Sequence, residues 1–113
     1  MKFKGNYNIE IAANRWFSPT YGNTYHAVRV WVTDNSTGET IDTLTSTECY
    51  GYGRQYLSTV YDLLVLNGYV EYEPGHSIGG VKNSSTAIYD YVRDTKVIEC
   101  CLDVKRKKHL FRF

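Results

Sequence analysis

Three histidines, three cysteines and one glycine-rich turn are the residues from which chemistry could start. His26, His76 and His109 are scattered, and Cys49, Cys100 and Cys101 contain no Cys-x-x-Cys pair, so their spacing offers no metal site. A nucleophile needs a base within hydrogen-bond reach, and no local motif couples a cysteine or serine to a histidine. His26 alternates with valines and reads as a satisfied core histidine. Glu71 and Glu73 lie in a glycine- and proline-containing stretch and read as solvated. No catalytic residue, metal or cofactor is therefore expected. The stretch best suited to a small ligand is Tyr50-Gly51-Tyr52-Gly53-Arg54. Glycines leading into a helix expose backbone N–H groups, and the helix dipole favours an anion there. Gly51, Gly53 and Arg54 form that candidate anion site. The pattern matches neither the phosphate loop nor the dinucleotide fingerprint, and glycine in such a link often serves geometry alone.

Recognition is the alternative to chemistry, and the rings speak for it. The chain has eleven tyrosines. Tyrosine joins a large apolar ring to a polar hydroxyl and suits half-buried strands, interfaces and stacking platforms. Rings are densest between Arg15 and His26, where Trp16, Phe17, Tyr21 and Tyr25 are mixed with Pro19, Gly22 and Asn23. This run reads as the connection of a first β-hairpin, with Phe17 inside and Tyr21 outside. Arg15, Trp16, Tyr21, Tyr25, Arg29 and Trp31 form the candidate partner-binding set, with rigid rings for contact area and arginine as anchor. The net charge of +1 hides an asymmetry. Residues 105–113 carry Lys105, Arg106, Lys107, Lys108 and Arg112 with no acid, whereas the body is mildly acidic. Lys105 to Lys108 are candidate nucleic-acid contacts, although such a tail is more often a solvated end.

The elements that must position these residues follow from periodicity. At 113 residues a single domain is expected, with 105–113 as a basic tail. Tyr7 to Ala13 and Thr24 to Val32 alternate with period two, and Glu39 to Cys49 resumes after the polar turn Asp34–Gly38. Ile41 and Leu44 are three apart, which predicts a bulge or a strand end between them. In the second strand the valine face belongs to the core, leaving Tyr25, Arg29 and Trp31 outward. Leu57, Val60, Tyr61 and Leu64 repeat at helical spacing from Arg54 to Asn67, with Gly68 as the stop. Residues 69–84 read as a long loop, and a short second helix is expected to about Asp94. Lys96 to Val104 is the last strand, with Cys100 inward and Cys101 partly exposed. The closing Leu110-Phe111-Arg112-Phe113 suggests that the terminus docks back, as a short strand. The order β-β-β-α-α-β implies an α+β two-layer sandwich: an antiparallel sheet of about four strands with one long and one short helix on one face.

Three further readings concern location and partners. No run of about 18 apolar residues exists, so no membrane span is expected. The start does not read as a signal peptide, so none is expected, and an odd cysteine count with two adjacent fits a reduced compartment such as the cytoplasm. Homo-oligomerisation stays open.

The order Arg15-Trp16-Phe17, Tyr21-Gly22-Asn23-Thr24-Tyr25-His26, Tyr50-Gly51-Tyr52-Gly53 and Asp103-Val104-Lys105-Arg106-Lys107-Lys108 resembles small accessory proteins of tailed phages and gut phage metagenomes. The resemblance implies a phage or prophage origin and production inside a bacterial host. It assigns no site residue. Small phage proteins of this size often act by binding in host takeover or anti-defence, CRISPR inhibition included, so by analogy a host protein, such as a defence nuclease or nucleoprotein complex, is the expected partner. Single-stranded nucleic acid, and a small anion or nucleotide, are the two alternatives.

Overall fold

The computed structural model describes residues 2–72 and 97–113. After a short strand at Lys2–Phe3 (β1), the frame is a pair of twelve-residue strands, Tyr7–Ser18 (β2) and Asn23–Asp34 (β3). They pair antiparallel without a slip from Tyr7↔Asp34 to Ser18↔Asn23. Alternation sends Ile9, Ile11 and Ala13 of β2 and Val28, Val30 and Val32 of β3 to one face, where all are buried. The turn takes only Pro19 to Gly22, closed by the Gly22 N–H donating to the Ser18 carbonyl at 2.8 Å, with Gly22 at φ +68°. The expected aromatic connection is thus mostly strand. Tryptophan, phenylalanine and tyrosine favour the pleated sheet, and only Pro-Thr-Tyr-Gly carries turn chemistry.

Glu39–Thr45 (β4) pairs antiparallel with β3, with a register shift opposite Ile41 that supplies the expected bulge. Cys49–Tyr50 (β5) adds a short pairing to β3 through Tyr25↔Tyr50 and His26↔Cys49. The chain then forms the helix Tyr56–Leu66 (α1). Val70–Glu71 (β6), expected as loop, pairs with β1 in a separate two-stranded sheet. Val97–Val104 (β7) joins the edge beside β2. Its pairing is parallel, which corrects the expected all-antiparallel sheet. The strand order is β4-β3-β2-β7, with β5 also on β3. The fold is therefore mixed α+β, an open and largely stranded sheet with one helix among the described residues. No helix among them is long and apolar enough to cross a membrane. The second helix expected before residue 94 lies outside the described residues.

Strand β7 reverses its expected faces. The register Ile9↔Val97, Ile11↔Glu99 and Ala13↔Cys101 turns Val97, Glu99 and Cys101 toward the helix. Ile98, Cys100 and Leu102 face outward and are exposed. Both alternating sets of β7 contain apolar residues, so the period alone does not choose between them. The helix side has a use for the acid: the Glu99 carboxylate accepts from the Tyr56 hydroxyl and from Arg54.

Helix α1 lies across the valine face of β3. Leu57, Val60, Tyr61 and Leu64 are fully buried against Ile9, Ile11 and the valines. Beyond Asn67, Gly68 at φ +82° donates to the Val65 carbonyl and Tyr69 to the Leu64 carbonyl, which ends the helix in the left-handed manner that glycine allows. The floor of the core is closed where Tyr7 and Tyr69 meet edge to face at 5.3 Å. The Tyr69 hydroxyl donates to Asp42 at 2.7 Å, and burial, with that carboxylate, pushes the phenol up to about 12. Leu66, in the last turn of the helix, is 70% exposed. Leu64→Ala should therefore cost about 2–5 kcal/mol in a urea titration. Leu66→Ala should stay within about 0.5 kcal/mol of wild type. Equal losses would contradict this helix orientation.

Candidate functional site

The six candidate partner-binding residues divide among three places. Trp16, Tyr25, Arg29 and Trp31 share the outer face of the sheet, opposite the helix. Arg15 points to the helix face. Tyr21 caps the β2–β3 turn and is exposed. On the outer face Trp16 and Tyr25 are directly opposed across β2 and β3 and stack at 6.0 Å, and Tyr25 meets Tyr50 of β5 edge to face at 5.9 Å. Three strands therefore contribute one continuous row of rings. Cross-strand aromatic pairs contribute about 0.2–1 kcal/mol each, so the row also holds β5 to the sheet. Trp31 stands farther along β3 between Glu10 and Thr43 and is half-buried.

Phe17 corrects an expectation. It is 57% exposed rather than inside, because Phe17 pairs with Thr24 beyond the end of the helix, where nothing of the core remains to receive it. The loop after β5 bends to the same end: the Gly51 N–H donates to the Thr24 carbonyl at 3.0 Å. Phe17, Tyr21, Tyr50 and Tyr52 thus gather at one end of the molecule, exposed by 57%, 76%, 61% and 67%. Tyr50 and Tyr52 were legible only as members of a turn. Their signal was the pairing of Cys49–Tyr50 with β3, which a sequence pattern cannot show.

The charges nearest this end are paired within the chain. Arg15 Nε donates to Asp103 at 2.8 Å and its Nη1 to the Gly53 carbonyl at 2.8 Å. The hydrogen bond that Arg15 donates to Asp103 outweighs burial and raises the Arg15 pKa further. Arg54 donates to Glu99 at 2.6 Å. Burial, with Glu99 beside it, pushes the Tyr56 phenol well above its ordinary value. The residues of the candidate anion site have structural work. Gly51 is buried, its N–H is spent on Thr24, and its carbonyl faces His26. Its φ of +153° is one that side chains rarely adopt, and a Cβ there would also press on Gln55 Cβ at 3.0 Å and the His26 ring at 3.2 Å, so a substitution is strained. The N–H groups of Gln55, Leu57 and Ser58 already donate to Tyr52, Arg54 and Gln55 carbonyls. Arg54 carries its carboxylate with it.

His26 is buried as expected, beside a cleft of about 390 Å³ between α1 and the β4–β5 segment that Ser46, Cys49, Gln55, Thr59 and Asp62 also line. Its tautomer follows from its partners. The Gly51 carbonyl, 3.2 Å from Nδ1, can only accept, so Nδ1 carries the proton. Nε2 then accepts from the Thr59 hydroxyl at 2.6 Å. This bond ties β3 to the helix. Burial holds the imidazole below its ordinary value despite the Gly51 carbonyl.

The C-terminal segment is not a loose tail. After β7 it turns at Lys107–His109, a 3₁₀ turn rather than the expected strand, and crosses the outer face. The Asn14 carboxamide donates to the Leu110 and Arg112 carbonyls at 3.0 Å each, with the His109 carbonyl at 3.4 Å. Leu110 is fully buried, and Arg29 lies over the Phe113 ring at 4.9 Å. Asn14 was passed over in the sequence because the first strand was expected to stop at Ala13.

No protein family, curated protein or solved structure matches the chain.

The histidine sets a pH dependence. Its folded pKa lies below the unfolded value, so its contribution is present above about pH 6.5 and lost as pH falls through the folded pKa. The urea midpoint should drop between pH 7.5 and 5.5, and His26→Gln should flatten that drop. An unchanged slope in the variant would remove His26 as the cause.

Proposed function

We propose that this chain is a non-enzymatic binding protein that engages a partner protein through its ring-rich end. The observation that carries the proposal is the gathering of Phe17, Tyr21, Tyr50 and Tyr52, each more than half exposed, by two turns that meet at Thr24. Large rings so exposed lose apolar hydration when covered, and they bring little conformational entropy to a complex. Such side chains dominate the energetics of protein interfaces. The paired states of Arg15 with Asp103 and Arg54 with Glu99 leave the neighbouring surface close to neutral, which suits a protein partner better than a polyanion. The resemblance to phage accessory proteins supports a host protein as that partner, and an anti-defence role such as CRISPR inhibition as its context.

The immobilised protein should retain a bacterial host protein from lysate, and a Tyr21→Ala/Tyr52→Ala double variant should retain at least tenfold less. Both positions are exposed, so the variant should unfold within about 0.5 kcal/mol of wild type. Retention that the double variant does not change, or no retained protein at all, would sink the reading.

A further inference from the structure

We infer that the outer face of the sheet is a binding surface for single-stranded nucleic acid, built from the ring row of Trp16, Tyr25 and Tyr50 and the basic C-terminal strap of residues 105–113. Two features that are far apart in sequence are adjacent in the fold. Val104, the residue before the strap, pairs with Trp16 at the end of the row. Lys107 reaches Glu48, next to β5 and Tyr50, at 3.6 Å. The strap therefore runs from one end of the ring row toward the other and then on to Arg29 at Phe113.

The chemistry of the two parts is complementary to one ligand class. A base needs an open ring to stack on: Tyr50 is 61% exposed, and Trp16 and Tyr25, half-buried and stacked on each other, extend the row behind it. Every base offers a π-face, so such binding is tolerant of sequence. The backbone needs cations held beside the rings. Lys105, Arg106, Lys108 and Arg112 are all exposed, and no ion pair among the described residues occupies them. The carboxylates of Glu99 and Asp103 stand on the opposite face, each bonded to an arginine. These two acids therefore do not oppose a phosphate on the outer face, which carries Glu10 beside Trp31 and, at its edge, Glu48 paired with Lys107.

Asn14 makes the surface a built one. Its carboxamide binds the strap's backbone carbonyls, not its side chains, so the cations are held in place without being consumed. Leu110 is fully buried within the strap, which fixes the turn in place. Asn14 is accordingly a positioning residue. A duplex keeps its bases stacked on each other and cannot use the ring row, which makes the surface selective for single strands.

The test is fluorescence anisotropy with a labelled oligothymidylate of 15 nucleotides, its duplex with oligoadenylate, and polyglutamate as competitor. The wild-type chain should bind the single strand with a log–log salt slope of about −3, from about four neutralised phosphates. Lys105→Glu/Lys108→Glu should flatten the slope by about half. Tyr50→Ala should weaken binding on the order of 5- to 150-fold while leaving the slope unchanged. Asn14→Ala should weaken it about tenfold, also without change of slope, because it removes positioning and no charge. If Asn14→Ala does not fold, the lysine pair and Tyr50 decide the matter alone. Absence of binding at 25 mM salt and about 50 μM protein would overturn the inference. So would equal affinity for the duplex, or indifference to Tyr50→Ala, since either leaves only charge attraction. Tyr50 belongs to both surfaces, but Tyr21 and Tyr52 belong to the protein-binding end alone, so the Tyr21→Ala/Tyr52→Ala variant should bind the oligonucleotide as wild type does and lets the two fail separately.

Discussion

Twelve uninterrupted residue pairs between β2 and β3 govern everything else in this structure. A register of that length assigns every side chain of both strands to a face, and a slip of one residue would exchange the faces. On one side it assembles Ile9, Ile11, Ala13, Val28, Val30 and Val32 into a surface that the helix must cover. On the other it opposes Trp16 to Tyr25 and Asn14 to Ala27, which creates the ring row and the seat of the C-terminal strap. Core and candidate surfaces are two consequences of one pairing.

The polar bonds follow the same division. On the helix face, Arg15, Arg54, Tyr56, Glu99 and Asp103 bond among themselves around the start of α1, and His26 joins Thr59 of the helix to Gly51 of the loop. These bonds hold the helix end, the glycine loop and β7 together and use up the charges there. The outer face keeps its cations, because Asn14 binds the strap through backbone carbonyls alone. One molecule thus presents a near-neutral aromatic end and a cationic aromatic face. Different partner chemistries fit the two.

The aromatic run between Arg15 and His26 shows how local chemistry and tertiary position combine. Its concentration of rings beside Pro19 and Gly22 was plain in the sequence, and so was the outward direction of Tyr25, Arg29 and Trp31. Its division was not. Trp16 and Phe17 are neighbours in the chain, yet one stacks on Tyr25 and the other stands in solvent on the opposite side of the sheet. Strand alternation separates them. The end of the core, set by the length of the helix, leaves Phe17 uncovered.

The sequence by itself determined the period-two strands of the hairpin, the irregularity near Ile41, the spacing of Leu57, Val60, Tyr61 and Leu64, and the glycine that ends the helix, because local sterics and local apolar patterning specify all of these. It also placed His26 in the core, since His26 shares its strand face with Val28, Val30 and Val32. Tertiary structure alone decided the parallel pairing of β7, the reversal of its faces, the pairing of β1 with β6, and the path of the strap over Asn14. Each depends on partners that are distant in sequence, such as Glu99 for Arg54 and Asn14 for the Leu110 carbonyl. Alternation reports that a strand has two faces, but only the packing of the rest of the chain determines which of them is inside.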